Sequence, residues 1–222
     1  MIRQILVVIG VSAGITAAGC AVTEPYPSVT ERGLPRVEDK RLDAVYWQPG
    51  VELSGYNKII VEAAEVSFRE NWQRDQNAER RSPNRWVKDD DMARIRGNLA
   101  ERVNEIFVAE LTENGGFEVV TEPGPDVLRL TPEVVDLDIY APDLFEPNST
   151  RYFVEEAGRM TLRLDLEDAA TGEPVGRIID TRRARNYTDL RRANSVTNRV
   201  ETDAMLRRWA SLLRDALTVN PS

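Results

Sequence analysis

The chain has 222 residues with 29 basic and 37 acidic side chains, a formal net charge of −8 and no histidine. An acidic chain is a poor binder of nucleic acid, and the lack of histidine excludes Ser-His and Cys-His nucleophile pairs and histidine-ligated metals. Since there is one cysteine, the fold has no intrachain disulfide. We therefore expect a fold held by burial alone, with no metal and no cofactor.

The first twenty residues predict export. Arg3 is the only charge before an apolar run, Ile5 to Ile15, that is too short to span a bilayer. Three small residues, Ala17-Ala18-Gly19, then precede the lone Cys20. This pattern resembles the lipobox of bacterial lipoproteins, in which the cysteine thiol is acylated and becomes the new amino terminus. The resemblance implies a lipid on Cys20, and Ala21 after it implies the outer membrane; a secretory signal cut elsewhere is the alternative.

Composition divides the chain into three parts. Residues 1–19 are the predicted signal peptide, and residues 20–44 carry three prolines among polar side chains. That second part predicts the lipidated cysteine followed by a flexible tether. Residues 45–220 have the length expected of a single domain, which export would place in the periplasm.

A spaced pattern opens this predicted domain, and its members are Tyr46, Pro49, Gly50, Val51, Leu53, Tyr56, Ile59 and Val61. The pattern is similar to the opening of the bacterial lipoprotein family catalogued as domain of unknown function 3313. Three later stretches fit the same family: Gly124 to Leu130, Leu164 to Asp180, and Arg208-Trp209-Ala210. The resemblance implies an exported lipoprotein with no agreed activity, so it assigns no catalytic residue.

The first half of the domain predicts a strand, an insertion and a helix. Ile59 to Val66 is nearly continuous in apolar and small residues, which favours a central strand. Ser67 to Lys88 is polar and predicts a loop whose tryptophans pack back on the sheet; a stacking surface of tryptophans and arginines is the alternative. After Asp89-Asp90-Asp91, which suit a helix start, one helical face is apolar. Its members are Met92, Ile95, Leu99, Val103, Ile106, Phe107 and Leu111.

Val127 to Tyr140 predicts a long strand whose alternation slips, with a bulge or an edge at Pro132. On a regular strand Asp136 and Asp138 would share one face, roughly 6.5–7 Å apart. That spacing permits a pair of carboxylates of the glycosidase kind. The alternative is a solvent-exposed face paired with Arg159 and Arg163 on the next strand.

The second half predicts a hairpin and a last helix. Arg159 to Glu167 alternates strictly, and a turn with Gly172 leads to a returning strand from Val175 to Arg185. An apolar stripe then marks the last helix, and its members are Val196, Val200, Ala204, Met205, Trp209, Leu212, Leu213 and Ala216. We therefore predict an α+β fold, a two-layer sandwich of a mostly antiparallel sheet with two long helices on one face.

Two segments are candidate binding sites. The loop from Tyr140 to Phe153 is rich in aromatics and prolines, which predicts partner anchors at Phe145 and Tyr152 or else a lid on the core. A basic segment from residue 177 to 192 could grip an anion or only neutralise acidic strands. Its candidate side chains are Arg182, Arg183, Arg185, Arg191 and Arg192.

Three function classes follow from these patterns. The leading one is a non-enzymatic outer-membrane lipoprotein that faces the periplasm and binds an envelope partner as an accessory protein. The second is a binder of anionic cell-wall polymer or lipid through the arginine cluster. The third is a carboxylate-dependent hydrolase using Asp136 and Asp138.

Overall fold

The structure, a computed structural model, describes residues 26–78, 80, 82–114, 116–139, 153–154, 158–183, 191–192 and 195–218. The strands formed by these residues are β1 (Arg36–Val37), β2 (Ala44–Trp47), β3 (Lys58–Val61), β4 (Glu65–Phe68), β5 (Glu118–Val119), β6 (Val127–Ile139), β7 (Phe153–Val154), β8 (Gly158–Asp168), β9 (Pro174–Arg183) and β10 (Arg191–Arg192). The helices are α1 (Trp72–Ala78), α2 (Asp89–Ala109) and α3 (Ser195–Thr218).

Eight of these strands form one sheet in the order β1-β2-β9-β8-β6-β3-β5, with β4 also paired to β6. The neighbouring pairs β1–β2, β2–β9, β9–β8 and β8–β6 are antiparallel. β3 and β4 run parallel to β6, and β5 runs parallel to β3. β7 and β10 make a separate antiparallel pair. The predicted fold class, a mostly antiparallel sheet with helices, is confirmed.

The two long helices pack on the same face of the sheet. Phe107 of α2 and Trp209 of α3 belong to one buried cluster with Leu130 of β6 and Leu164 of β8. After α2 the chain makes a π-helical turn, Glu110–Asn114, close to the predicted end of this helix. The predicted two-layer arrangement is therefore correct.

An ion pair joins the two long helices. Arg102 of α2 donates through Nε to Asp203 Oδ1 at 2.8 Å and through Nη2 to Oδ2 at 2.7 Å. The hydrogen bonds from Arg102 lower the pKa of Asp203, with burial opposing them. A carboxyl whose pKa is lowered by folding stabilises the protein above its unfolded pKa, about 3.9, and loses that contribution as the pH falls through the folded pKa.

We expect Asp203→Asn to lower the free energy of unfolding by about 1 kcal/mol at neutral pH, because the bidentate pair is lost. In acid the wild-type carboxyl is itself protonated, so the difference between the two proteins should disappear. Urea unfolding at neutral and acidic pH measures both values. A difference that does not change with pH would contradict this role of the pair.

Residues 26–44, the C-terminal part of the predicted tether, are instead packed on the sheet, so the prediction of a flexible tether is wrong for them. Leu34 is 2% exposed and packs with Ala44 and Tyr46. This small cluster covers Ile179, whose side chain lies on the sheet face opposite the helices. The folded part therefore begins before the predicted boundary at residue 45.

The predicted strand from Ile59 to Val66 is two strands, β3 and β4. The side chain of Asn104 on α2 interrupts it, since Oδ1 accepts from the backbone N–H of Ala64 at 3.0 Å and Nδ2 donates to the carbonyl of Glu62 at 3.0 Å. Both strands still pair with β6, one after the other. An amide from the helix thus satisfies the backbone where the strand breaks.

The slip in β6 lies at Asp136 and not at Pro132, where the sequence predicted it. Pro132 stays in register opposite Leu164, and the pairing with β8 shifts between Val135 and Asp138. Asp136 has a positive φ of 53°, which an aspartate tolerates better than a branched residue. Pro132 causes no break because β3 pairs with β6 before it and β4 pairs with β6 after it.

The polar insertion from Ser67 to Lys88 contains α1 and one buried tryptophan. Trp72 stacks on Phe68 with ring centroids 4.1 Å apart, and its Nε1 donates to the Ile139 carbonyl at 2.9 Å. Trp86 is 45% exposed. The expectation that both tryptophans pack back is therefore correct for Trp72 and wrong for Trp86.

The buried face of α3 is rotated from the predicted stripe. Val200 is 61% exposed and Ala204 is also exposed. The residues of α3 that are buried are Leu206, Trp209, Ala210, Leu212, Leu213 and Leu217. Met205, Trp209, Leu212 and Leu213 of the predicted stripe therefore pack on the core, whereas Val200 and Ala204 do not; the side chain of Val196 lies outside the described part of the chain.

Candidate functional site

Residues in and beside the stretches that resemble the lipoprotein family form two polar pairs that connect distant parts of the fold. The Tyr56 hydroxyl donates to Asp168 Oδ2 at 3.0 Å, and burial together with that carboxylate raises the pKa of Tyr56 to about 12. Lys58 Nζ lies 2.8 Å from Asp126 Oδ2. Asp168 also accepts the backbone N–H groups of Ala170 and Thr171 in the β8–β9 turn. These contacts connect β3 to the neighbouring turns and leave Tyr56 a neutral donor at ordinary pH.

Asp180 on β9 is the most enclosed carboxylate that the structure describes, at 2% exposure. It accepts from Trp209 Nε1 at 2.7 Å, from the backbone N–H of Asp43 at 3.2 Å and from Arg182 Nε. Burial raises its pKa, while Trp209 and Arg182 oppose that change. The Asp180 carboxylate therefore joins α3, β9 and the chain before β2, and its burial suits a structural role.

Two arginines of the predicted basic segment, Arg177 and Arg182, face carboxylates. Arg177 binds both Asp165 and Glu31, and Arg182 binds Asp180. Arg182 also donates to the backbone carbonyl of residue 41 at 2.7 Å. For these two side chains the structure favours neutralisation of acidic strands over a grip on an external anion.

The structure describes only some of the remaining candidate residues in the basic segment and the aromatic loop. Arg183 ends β9 and is exposed. The backbone of Arg191 and Arg192 forms β10 against β7. The remaining candidates, Cys20, Phe145, Tyr152 and Arg185, lie outside the described residues.

The predicted carboxylate pair does not have the geometry of a regular strand. Asp136 sits in the bulge of β6, and Asp138 lies 2.9 Å from Arg69 Nε of the insertion. Arg163, the predicted partner, binds Glu133 instead. The spacing argument for a glycosidase pair therefore fails, and so does the predicted pairing with Arg163, whereas Arg159 lies opposite Asp138 in the register of β6 and β8, as the alternative expected.

A groove of about 870 Å³ that the sequence did not predict opens at the β1–β2 edge. Its apolar lining includes Pro35, Val37, Trp47 and Val51, from the edge strands and the turn after β2. The acidic side chains that line it are Glu38, Asp39, Glu52 and Asp215, and the basic one is Arg41. Asp39 is paired with Arg41 and Asp215 with Arg214, so the net negative charge of the groove comes from Glu38 and Glu52. Its size falls within the range of known ligand pockets.

The groove is built from three distant segments of the chain. The edge strand β1 and the chain after it form one side, the Pro49-Gly50 turn forms the second, and the last turns of α3 form the third. Gly50 has a φ of +78°, which lets the chain turn sharply after Trp47. The one signal in the sequence was Trp47 beside Pro-Gly, an aromatic next to an exposed turn.

Gly176 of β9 lies directly beneath the Trp47 indole. A Cβ atom at this position would overlap the Trp47 ring and lie 3.1 Å from the Tyr46 carbonyl. We expect Gly176→Ala to displace Trp47 and to lower the free energy of unfolding by about 1–3 kcal/mol. Adding Trp47→Leu should recover part of that loss.

Urea unfolding followed by circular dichroism measures these values. Gly97→Ala is the matched control, because Gly97 lies on the exposed face of α2 and a Cβ there meets nothing within 4 Å. The substitution should stabilise the helix by about 0.5–1 kcal/mol. A Gly176→Ala protein as stable as wild type would show that the indole does not rest on β9.

Comparison with known proteins places the chain in a family. The family model described as "Protein of unknown function (DUF3313)" matches residues 27–213, so the chain belongs to that family. No curated protein matches it.

Several solved structures align with most of the chain at low identity. A PelC dodecamer from Paraburkholderia phytofirmans is 14% identical over 77% of this chain and 96% of that one, with a TM-score of 0.38. The protein XCC0632 from Xanthomonas campestris is 12% identical over 77% and 88%, with a TM-score of 0.39. A minor lipoprotein from Acinetobacter baumannii is 13% identical over 74% and 98%, with a TM-score of 0.33. Likenesses this distant indicate no ligand, partner or assembly for this chain.

Proposed function

We propose that this DUF3313 protein is an exported lipoprotein, anchored through Cys20 in the outer membrane, whose periplasmic domain binds an envelope protein and performs no chemistry. The observation that carries the proposal is the lone cysteine directly after Ala17-Ala18-Gly19. Within the described part of the chain no helix is long and apolar enough to cross a membrane.

The chemistry of the described side chains supports a role without catalysis. The chain has no histidine, and its most enclosed carboxylate, Asp180, is held by Trp209 and Arg182. Asp168 and Asp126 are likewise engaged with Tyr56 and Lys58. These three carboxylates are thus used to hold elements of the fold together.

We assign partner binding to the groove at the β1–β2 edge. Half-buried Trp47 offers an aromatic anchor, a residue type frequent at the energetic centre of interfaces. Glu38 and Glu52 at its rim form no ion pair with any described residue. A lining of this charge fits a cationic segment of an envelope protein, whose binding should weaken as the salt concentration rises.

The aromatic loop remains a second predicted contact. Phe145 and Tyr152 are its discriminating side chains. If they contact the partner, replacing both with alanine should abolish partner capture and leave the melting temperature nearly unchanged. A loss of stability without a loss of capture would identify the loop as a lid on the core.

Metabolic labelling with an alkyne fatty acid tests the anchor. Wild type should take up the label and sediment with the outer membrane, because its cysteine is acylated. Cys20→Ser should take up none and should be lost from that membrane fraction. Equal labelling of the two proteins would contradict the proposed anchor.

A further inference from the structure

The chain between the proposed anchor and the folded domain is very short. Five residues, 21–25, separate Cys20 from Tyr26, which is already packed on the domain. The Tyr26 hydroxyl donates to Asp43 Oδ2 at 3.3 Å, and the guanidinium of Arg36 lies 5.9 Å from the centre of its ring. Even a fully extended chain from Cys20 to Tyr26 spans at most about 20 Å.

That attachment point lies near one end of the sheet. Tyr26 packs with Leu34, Ala44, Tyr46 and Ile179 on the face opposite the helices, over the first three strands of the sheet order, β1, β2 and β9. β5 is the last strand of that order, six strand spacings from β1, which corresponds to about 29 Å. The tether is therefore shorter than the sheet is wide.

The surface around the attachment point combines exposed apolar groups with a cation. Val29 is 50% exposed and Val37 is 36% exposed. Val29 pairs with Pro35, so its side chain lies on the same face as Val37, two residues further along the strand. Lys40, at the turn before β2, is exposed and forms no ion pair with any described residue.

Most acidic groups beside this surface are used within the fold. Asp39 accepts the backbone N–H groups of Arg41 and Leu42 and pairs with the Arg41 guanidinium. Asp43 accepts the Thr181 N–H and the Tyr26 hydroxyl. Glu38 is the exposed acidic side chain that remains. An apolar pair beside an uncommitted lysine is suited to a bilayer surface with anionic phosphate headgroups.

We propose that the anchor-side edge, formed by Val29, β1 and the turn at Lys40, faces the lipid bilayer and that β5 points away from it. This inference rests on the proposed anchor at Cys20. The groove, whose lining includes Val37, Glu38, Asp39 and Arg41 of this edge, then opens beside the headgroups, and its occupant is a membrane-proximal segment of the partner.

The lone cysteine allows a direct test. The mature chain, starting at Cys20, is coupled through that thiol to maleimide lipid in vesicles of phosphatidylethanolamine and phosphatidylglycerol. Acridonylalanine replaces either Lys40 or Glu118, and a headgroup-labelled lipid accepts its energy. We expect several-fold greater transfer from position 40 than from position 118, which lies on β5.

Two controls make the outcome decisive. Cys20→Ser gives the transfer without coupling, which is subtracted. A Gly/Ser insertion of about 20 residues after residue 25, with a root-mean-square reach of about 25 Å, should reduce the difference between the positions if the short tether helps to set the orientation. Equal transfer from both positions with the natural tether, or greater transfer from position 118, would overturn the proposal and leave this edge to a protein partner. Because the coupling is chemical, these outcomes are independent of whether cells acylate Cys20.

Discussion

Replacing Trp209 with alanine is expected to lower the free energy of unfolding by about 3–5 kcal/mol. The side chain is 1% exposed and lies in the cluster that joins both long helices to the sheet. Its removal would leave a cavity there and would also take from Asp180 the hydrogen bond of 2.7 Å. Both losses act on the same point of the core, where α3 meets β9.

Urea unfolding followed by far-ultraviolet circular dichroism measures the effect without relying on tryptophan fluorescence. Trp86→Ala is the matched control, since Trp86 is 45% exposed and its loss should cost no more than about 0.5 kcal/mol. If Trp209→Ala were no more destabilising than Trp86→Ala, the described packing of α3 on the sheet would be wrong.

Asp180→Ala should lower the free energy of unfolding by about 3 kcal/mol, because it leaves buried donors without an acceptor. The donors are Trp209 Nε1, the Asp43 backbone N–H and Arg182 Nε. Asp180→Asn keeps an acceptor oxygen at the same place and should cost less. The same urea titrations give both values.

A double-mutant cycle separates this contact from general damage to the core. Trp209→Phe removes the indole donor and keeps an aromatic ring, so combining it with Asp180→Asn should cost less than the sum of the two single changes. Strict additivity would show that Trp209 and Asp180 do not stabilise each other.

Regular patterns in the sequence predicted the layers of the fold correctly. β8 is the clearest case: its alternating residues Met160, Leu162, Leu164 and Leu166 are all 2% exposed or less. The stripe on α2 likewise faces the core at Val103, Ile106 and Phe107. Period-2 and period-3.6 patterns succeed here because one face of each element is buried and the other is not.

The elements that failed depend on contacts from distant parts of the chain. Leu34 and Leu42 are isolated apolar residues in a polar stretch, and nothing local indicates that the sheet has a free surface to receive them. The buried residues described on α3 begin at Leu206, so Val200 is exposed although its spacing fits the stripe, because it lies before the part of the helix that packs on the core. Periodicity gives the face of a helix but not where its partner surface ends.

The groove could not be predicted for the same reason. Its three sides come from residues near 35–41, 47–53 and 215–216, which only the folded sheet brings together. The arginine cluster was misleading in the opposite direction. Arg177 binds Asp165 on the neighbouring strand and Glu31 in the N-terminal segment, and Arg182 binds the buried Asp180 two residues before it on β9. A charge run shows which groups are present and not which partners they meet.

Site-specific photo-crosslinking in living cells tests the central claim, that the domain binds an envelope protein through the groove. The photoreactive residue replaces Gln48 or Glu52 in the groove, or Phe145 in the aromatic loop. Arg96 and Glu101, on the exposed face of α2, are the control positions. We predict one dominant adduct, to the same envelope protein, from both groove positions and none from α2. Trp47→Ala should abolish it while the protein stays folded. Adducts of equal yield from α2, or an adduct from position 145 and none from the groove, would contradict the account.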